Sequence, residues 1–253
     1  MQQRLAAIRT DLQAAYVLYS DALSLNDLQS LQAGAHFTPH KDDLLSLYSF
    51  KTFTIKQLKN NIDDLQPFPL ANVCQNCTIN SVNSMDHVLG KAEFPEYSIH
   101  PYNLFPSCTE CNGYKSTSFA RDGVRRFLNL YSDQLPQVQY LFLDVFINSH
   151  GDLDYSFVLD KRNHIDQALF TLIQSHFERL YLFKRMKFHS IKYYVELRTS
   201  ISIRLNDLSW AQVANQITRE AQENKANLGN NHFQYVLQSE LIRHLLFRNS
   251  FGQ

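Results

Sequence analysis

Four cysteines stand in two identical spacings, Cys74-Gln-Asn-Cys77 and Cys108-Thr-Glu-Cys111. Each C-x-x-C pair can turn as a knuckle that aims two thiolates at one ion. Two knuckles complete a tetrahedral S₄ set, suited to Zn²⁺ or iron. The spacing predicts a structural zinc on Cys74, Cys77, Cys108 and Cys111, with no cysteine left over. A closed S₄ set has no open coordination position, so it would hold the fold and perform no chemistry. Buried cysteines paired by chance are the bland alternative. A redox dithiol is disfavoured because nothing around either pair reads as a βαβ unit.

Thirty residues separate Cys77 from Cys108, more than a plain zinc ribbon needs. They hold Asp86-His87, Phe94-Pro95-Glu96 and Asn103-Leu104. Asn112 follows the last cysteine and Lys115 lies three further on. The pattern C-x-x-C … DH … FPE … NL-x-P-x-C-x-x-CN-x-x-K resembles the HNH, or ββα-metal, nuclease family over about 74–116. The helical flanks resemble a group of HNH proteins of bacterial anti-phage defence. The resemblance implies a phosphodiester hydrolase in which Asp86 and Asn112 ligate catalytic Mg²⁺ or Mn²⁺, both hard cations that prefer oxygen donors. It makes His87, neutral near its ordinary pKa of about 6.5, the general base. Asn103 would orient His87 or hold the loop, and Lys115 would contact phosphate. Two positions depart from the family pattern. Asn112 stands where the family name implies His, a variant that the family also shows. Gly90 stands where Pro is frequent, which predicts a looser loop. A solvated Asp86–His87 pair is the alternative, but flanking knuckles and the register of Asn103 and Asn112 favour catalysis. His100 reads as structural and Glu96 as a hydrogen bonder of the fold.

Cations for a nucleic acid have two candidate sources. Arg121, Arg125 and Arg126 cluster just past the motif. From 176 to 204, seven Lys or Arg are interleaved with aromatics. Either group could contact phosphates, with rings available for stacking. A solvated basic helix face over a core of aromatics is the competing reading.

These residues need elements to position them. Leu5, Ile8, Leu12, Tyr16, Tyr19 and Leu23 fall on one helical stripe, and Thr54 can cap a helix over 55–65 before Pro67 and Pro69 end it. The segment 71–118 is poor in periodic apolar residues and must draw stability from elsewhere, a metal being the usual source. Beyond it, 139–147 and 153–159 flank Ser-His-Gly-Asp and read as a β-hairpin. The stripe Leu169, Ile173, His176, Leu180, Phe183 is helical. Ser209 with Gln212 has capping-box spacing for a helix to about 225, and Phe233 to Leu245 makes a last amphipathic helix. The expected organisation is a helical segment 1–70, a nuclease core 71–118 and a mostly helical part 119–253. The fold class is α+β, mainly helical around a small zinc-stapled ββα core.

Composition bounds the rest. Charged residues are 19% of the 253, with Lys+Arg and Asp+Glu both at 24, so net charge points to no polyanionic partner. Seven glycines form neither GxGxxG nor GxxxxGK, which excludes a nucleotide phosphate loop by sequence. No run approaches the roughly 20 apolar residues of a membrane span. The N-terminus lacks a secretory apolar region, so a cytoplasmic, reducing location is expected. The leading expectation is an HNH endonuclease acting on DNA rather than RNA with little sequence specificity, as a homodimer or under a regulatory protein partner. The alternative is a non-catalytic, zinc-stabilised module that binds nucleic acid or protein.

Overall fold

The computed structural model describes residues 1–253 apart from the Pro69 side chain. Helix accounts for about half of the chain, with three two-stranded antiparallel sheets. The chain forms two compact units, Met1–Leu135 and Pro136–Gln253. The first takes in the segments 1–70 and 71–118 and runs on to Leu135.

The first unit opens with α1 (Gln2–Ala7) and α2 (Arg9–Ser24). The apolar stripe from Leu5 to Leu23 is therefore not one helix. It breaks at Ile8, whose φ of −105° leaves the helical range while its side chain stays buried. Helix α3 spans Lys41–Ser46 and α4 spans Phe53–Asp63. Thr52, not Thr54, occupies the N-cap of α4, and its side chain makes no cap bond.

These helices enclose a strand–strand–helix element. Strand β1 (Ser84–His87) pairs antiparallel with β2 (Leu104–Ser107), setting Asp86 opposite Phe105 and His87 opposite Leu104. Helix α5 (Thr109–Lys115) follows at once and packs on β1. Met85, Leu104 and Ile55 form a buried apolar cluster, with Tyr48 and Leu58 packed against it. Tyr19 of α2 reaches the same element, donating its hydroxyl to the Tyr102 carbonyl at 3.0 Å. The unit closes with a hairpin of β3 (Ala120–Arg121) and β4 (Val124–Arg125). Its two-residue turn, Asp122-Gly123, has φ of 52° and 72°. Such turns need positive φ at both central positions, which Asp-Gly supplies at low cost.

In the second unit, β5 (Leu141–Ile147) and β6 (Leu153–Leu159) pair in register, Leu141 with Leu159 and Ile147 with Leu153. This is the hairpin read from the sequence. Helices α6 (Gln167–Arg179), α7 (Leu182–Arg204), α8 (Trp210–Leu228), α9 (Phe233–Arg243) and α10 (Leu245–Asn249) complete it. Both halves of the Ser209–Gln212 capping box are formed. The stripe ending at Phe183 is cut at Tyr181, which takes a left-handed φ of 53°. Among the described residues, no helix is long and apolar enough to cross a membrane.

Candidate functional site

Both cysteine pairs converge. The first sits on a tight turn in which Cys77 and Thr78 donate their backbone N–H to the Cys74 carbonyl, at 3.2 and 2.7 Å. Thr78 takes a positive φ of 55° to close it. The second pair opens α5. Cys108 is the N-cap, and its sulfur accepts the Cys111 N–H at 3.4 Å. All four cysteines are buried, and their sulfurs lie within 4.8 Å of one another. A tetrahedral Zn–S₄ centre with bonds near 2.3 Å requires sulfurs about 3.8 Å apart. Cys77 and Cys108 stand at 3.9 Å. The four buried cysteines are thus placed to hold one metal ion. Asn80 supports them, directing its amide at Cys108 Sγ (3.8 Å) and Glu110 (2.8 Å).

Side chains of β1 alternate as a strand requires. Ser84 and Asp86 face α5. Asn112 sends its amide nitrogen to Ser84 Oγ at 3.4 Å and toward the Met85 carbonyl at 3.5 Å. Lys115, one turn on, reaches Asp86 at 3.1 Å. Met85 and His87 face the other way, toward Tyr48, whose ring meets the His87 imidazole edge-on at 4.6 Å. The structure therefore gathers Asp86, Asn112 and Lys115 on one side of β1 and sets His87 on the other, at the strand's last residue.

His87 is buried, and its Nε2 lies 2.9 Å from the Ser98 carbonyl. A carbonyl can only accept, so Nε2 carries the proton and Nδ1 keeps its lone pair. Burial pushes the His87 pKa down to about 4, with the Ser98 carbonyl opposing. The ring is neutral near pH 7, with Nδ1 the basic atom. Ser98 is itself fixed, its hydroxyl donating to Leu44 of α3 at 2.9 Å.

Asp86 is buried, which raises its pKa, and Lys115 opposes that shift. Lys115 was expected to contact phosphate, and the structure puts it elsewhere. It is buried, with its ammonium at Asp86, at the His87 carbonyl (2.5 Å) and at the Val88 carbonyl (3.2 Å). A charged residue in a CN-x-x-K string reads as solvated. Here the Asp86 carboxylate on the facing strand draws it inward.

Asn103 is fully buried and touches the loop, not His87. Its Oδ1 accepts the Leu89 N–H at 2.7 Å and the Tyr19 hydroxyl at 3.3 Å. Its Nδ2 donates to the carbonyls of Leu89 (3.1 Å) and Tyr97 (3.0 Å). Of the two roles offered for it, the structure shows the loop-holding one. At Gly90 a Cβ would come within 3.0 Å of Thr117, so the residue permits close approach. Glu96 accepts the Gly34 N–H at 3.0 Å, and His100 is ringed by Tyr16, Tyr19, Tyr97 and Tyr102. Both are buried parts of the fold.

The arginine cluster divides. Arg125 forms a mostly buried ion pair with Asp133 and donates to Asn26 at 2.9 Å, so it ties the unit together. Arg126 is half-buried and follows β4. Arg121 is exposed at the end of β3, paired with Asp122 at 3.6 Å. The basic stretch of α6 and α7 is largely engaged within its own unit. Lys187 meets Asp154 at 2.8 Å, Arg204 meets Glu220 at 2.7 Å, and Arg198 lies 4.6 Å over the Phe251 ring.

One cation near His87 escaped the sequence reading. The Lys91 ammonium lies 4.4 Å from the centre of the Tyr48 ring, the ring that His87 also touches. A lysine isolated between Gly90 and Ala92 gives no sequence signal, because the contact is made with a residue 43 positions away.

No family model matches the chain, and no solved structure does. Protein ea31 of Escherichia phage lambda is similar, 42% identical over 57 residues. That match covers 22% of this chain and only 19% of ea31.

Proposed function

We propose that this chain is an HNH-type endonuclease that hydrolyses phosphodiester bonds, with DNA as substrate and little dependence on sequence. The observation that carries the reading is His87. It is a neutral imidazole at the end of a strand, with Nε2–H fixed on the Ser98 carbonyl and Nδ1 left unprotonated. A general base that takes a proton from water needs that tautomer and that protonation state. The strand–strand–helix order, with four cysteines pinning the helix start, supports the same reading. The ion held by Cys74, Cys77, Cys108 and Cys111 is zinc on the chemistry of four thiolates, and its role is structural.

Asp86 and Asn112 are the residues that would hold Mg²⁺ or Mn²⁺. Their chemistry fits: a carboxylate with more acceptor sites than Lys115 fills, and an amide oxygen that accepts no hydrogen bond among the described residues. Such an ion supplies charge stabilisation to the phosphate. The chain's own part is to keep His87 neutral and aimed, to hold the loop through Asn103, and to fix α5 against β1. Arg121 is the exposed member of the arginine cluster available to the nucleic-acid backbone.

Cleavage of supercoiled plasmid with Mg²⁺ or Mn²⁺ tests the reading, comparing the chain with His87→Ala at matched zinc content. Cleavage by the unaltered chain alone supports it, and equal cleavage by both refutes the assignment of His87.

One observation favours a second reading. The Asp86 carboxylate is buried and already paired with Lys115. A zinc-stapled binding module would use that pair purely as structure, and His87→Ala would then leave its binding unchanged. An effector in a defence system, silent until a partner delivers substrate, remains a variant of the nuclease reading, distinguished by activity appearing only with the partner.

A further inference from the structure

The burial of Lys115 leaves the candidate site without the phosphate contact assigned from the sequence. Lys91 is placed to supply it. Its ammonium and the His87 ring contact the same Tyr48 ring, at 4.4 and 4.6 Å from its centre. The two groups can be no further apart than those contacts together allow. That limit is about 9 Å, a span that one water and one phosphate group can bridge between a general base and a cation. Lys91 meets no carboxylate among the described residues, unlike Lys115, Arg125, Lys187 and Arg204. It is half-buried, and that burial lowers its pKa.

Its backbone is held as firmly as the rest of the site. The Gly90 carbonyl accepts the N–H groups of Glu93 (3.0 Å) and Phe94 (2.9 Å), which fixes a turn around Lys91. Lys41 donates to the Ala92 carbonyl at 2.6 Å. Asn103 clamps Leu89, two residues before Lys91, on both its N–H and its carbonyl. A lysine on a floppy loop would lose entropy on ordering, whereas the backbone on either side of this one is already hydrogen-bonded.

We propose that Lys91 is the residue that binds the nucleic-acid phosphate beside His87, in the role that the motif gives to Lys115. The proposal rests on the nuclease reading and names the contact through which substrate is held there. A Lys ammonium is a point charge suited to a phosphodiester oxygen. The Tyr48 ring orients it by cation–π attraction without neutralising it.

The test is binding of a short fluorescein-labelled DNA duplex, and of its RNA counterpart, to the zinc-loaded full chain carrying His87→Ala to prevent cleavage. Affinity is measured across a salt series, alone and with Lys91→Met or Lys91→Arg added. Loss of one phosphate contact lowers the slope of log K against log salt by about 0.9. Lys91→Met is expected to show that loss with severalfold weaker binding, and Lys91→Arg to keep the slope. An unchanged thermal midpoint in Lys91→Met identifies the effect as one on binding. An unchanged slope and affinity in Lys91→Met overturns the proposal while leaving the nuclease reading intact. If the His87→Ala chain binds neither duplex at any salt, both fall together. A lowered midpoint with an unchanged slope makes Lys91 a structural residue and also overturns the proposal.

Discussion

His100 offers a test of the fold that needs no knowledge of function. Its ring is packed among Tyr16, Tyr19, Tyr97 and Tyr102, and its Nδ1 is buried without a hydrogen-bond partner. Burial lowers its pKa to about 4, against about 6.5 in an unfolded chain. Between those values the unfolded chain binds the proton and the folded one does not. The folded state is therefore favoured above pH 6.5 and loses that advantage as pH falls toward 4. Between pH 7.5 and pH 5 the loss is about 2 kcal/mol from this one residue. Phenylalanine has a ring of similar shape and cannot titrate. His100→Phe is expected to gain about 2 kcal/mol relative to the unaltered chain on moving from pH 7.5 to pH 5. Trp210, the lone tryptophan, lies in the other unit and cannot report the change. Hydrogen exchange at the β1 and β2 amides can, with both proteins compared at each pH so that intrinsic rates and any acid lability of the metal site cancel. If the two proteins keep the same difference in protection at both pH values, His100 titrates normally and the caged-ring argument is wrong.

Three other outcomes are expected. Asn103→Ala removes four hydrogen bonds and leaves the Leu89 N–H and carbonyl buried and unpaired, at about 1–3 kcal/mol each, while the Tyr97 carbonyl keeps the His100 N–H. Thermal unfolding should show a fall of at least several degrees. Lys115→Met leaves the Asp86 carboxylate buried without its cation, at about 3–5 kcal/mol, and Asp86→Asn in the same chain should restore much of it. The double-mutant cycle in urea reads that coupling. Elemental analysis should find one zinc per chain, lost in Cys111→Ser, while the fluorescence of Trp210 stays native because the second unit contains none of the cysteines.

What could be read from the sequence follows from how local each signal is. The two C-x-x-C pairs, the Ser209 capping box and the β5–β6 hairpin are set by residues within a few positions of one another, and their spacing carried them. The break at Ile8 and the turn at Tyr181 interrupt continuous apolar stripes without Gly or Pro, so periodicity alone joined what the backbone separates. Asp122-Gly123 is the opposite case, a plain hairpin signal hidden among arginines. The candidate site was legible as a set of residues and not as an arrangement. Lys115 turned inward because Asp86 lies 29 positions earlier, and Arg125 was taken up by Asp133 and Asn26. Lys91 became visible only when Tyr48 arrived from another element. Contacts between distant positions decide such roles, and no spacing rule encodes them.

Helix α5 begins at the sulfur cluster and ends at Lys115, seven residues later. Cys111 looks toward the other three cysteines, and Asn112 and Lys115 look toward β1, so the helix works as a dial whose zero is set by Cys108. Each residue advances it by about 100°. Gly113 lies between the two readings of that dial, and a Cβ placed on it would meet nothing within 4 Å. Replacing it with alanine changes no angle and relieves the entropy that glycine costs in a helix. Inserting an alanine beside it turns Lys115 away from Asp86. The same residue is thus harmless as a substitution and ruinous as an addition: in this stretch the chain's length, more than its composition, is what the fold protects.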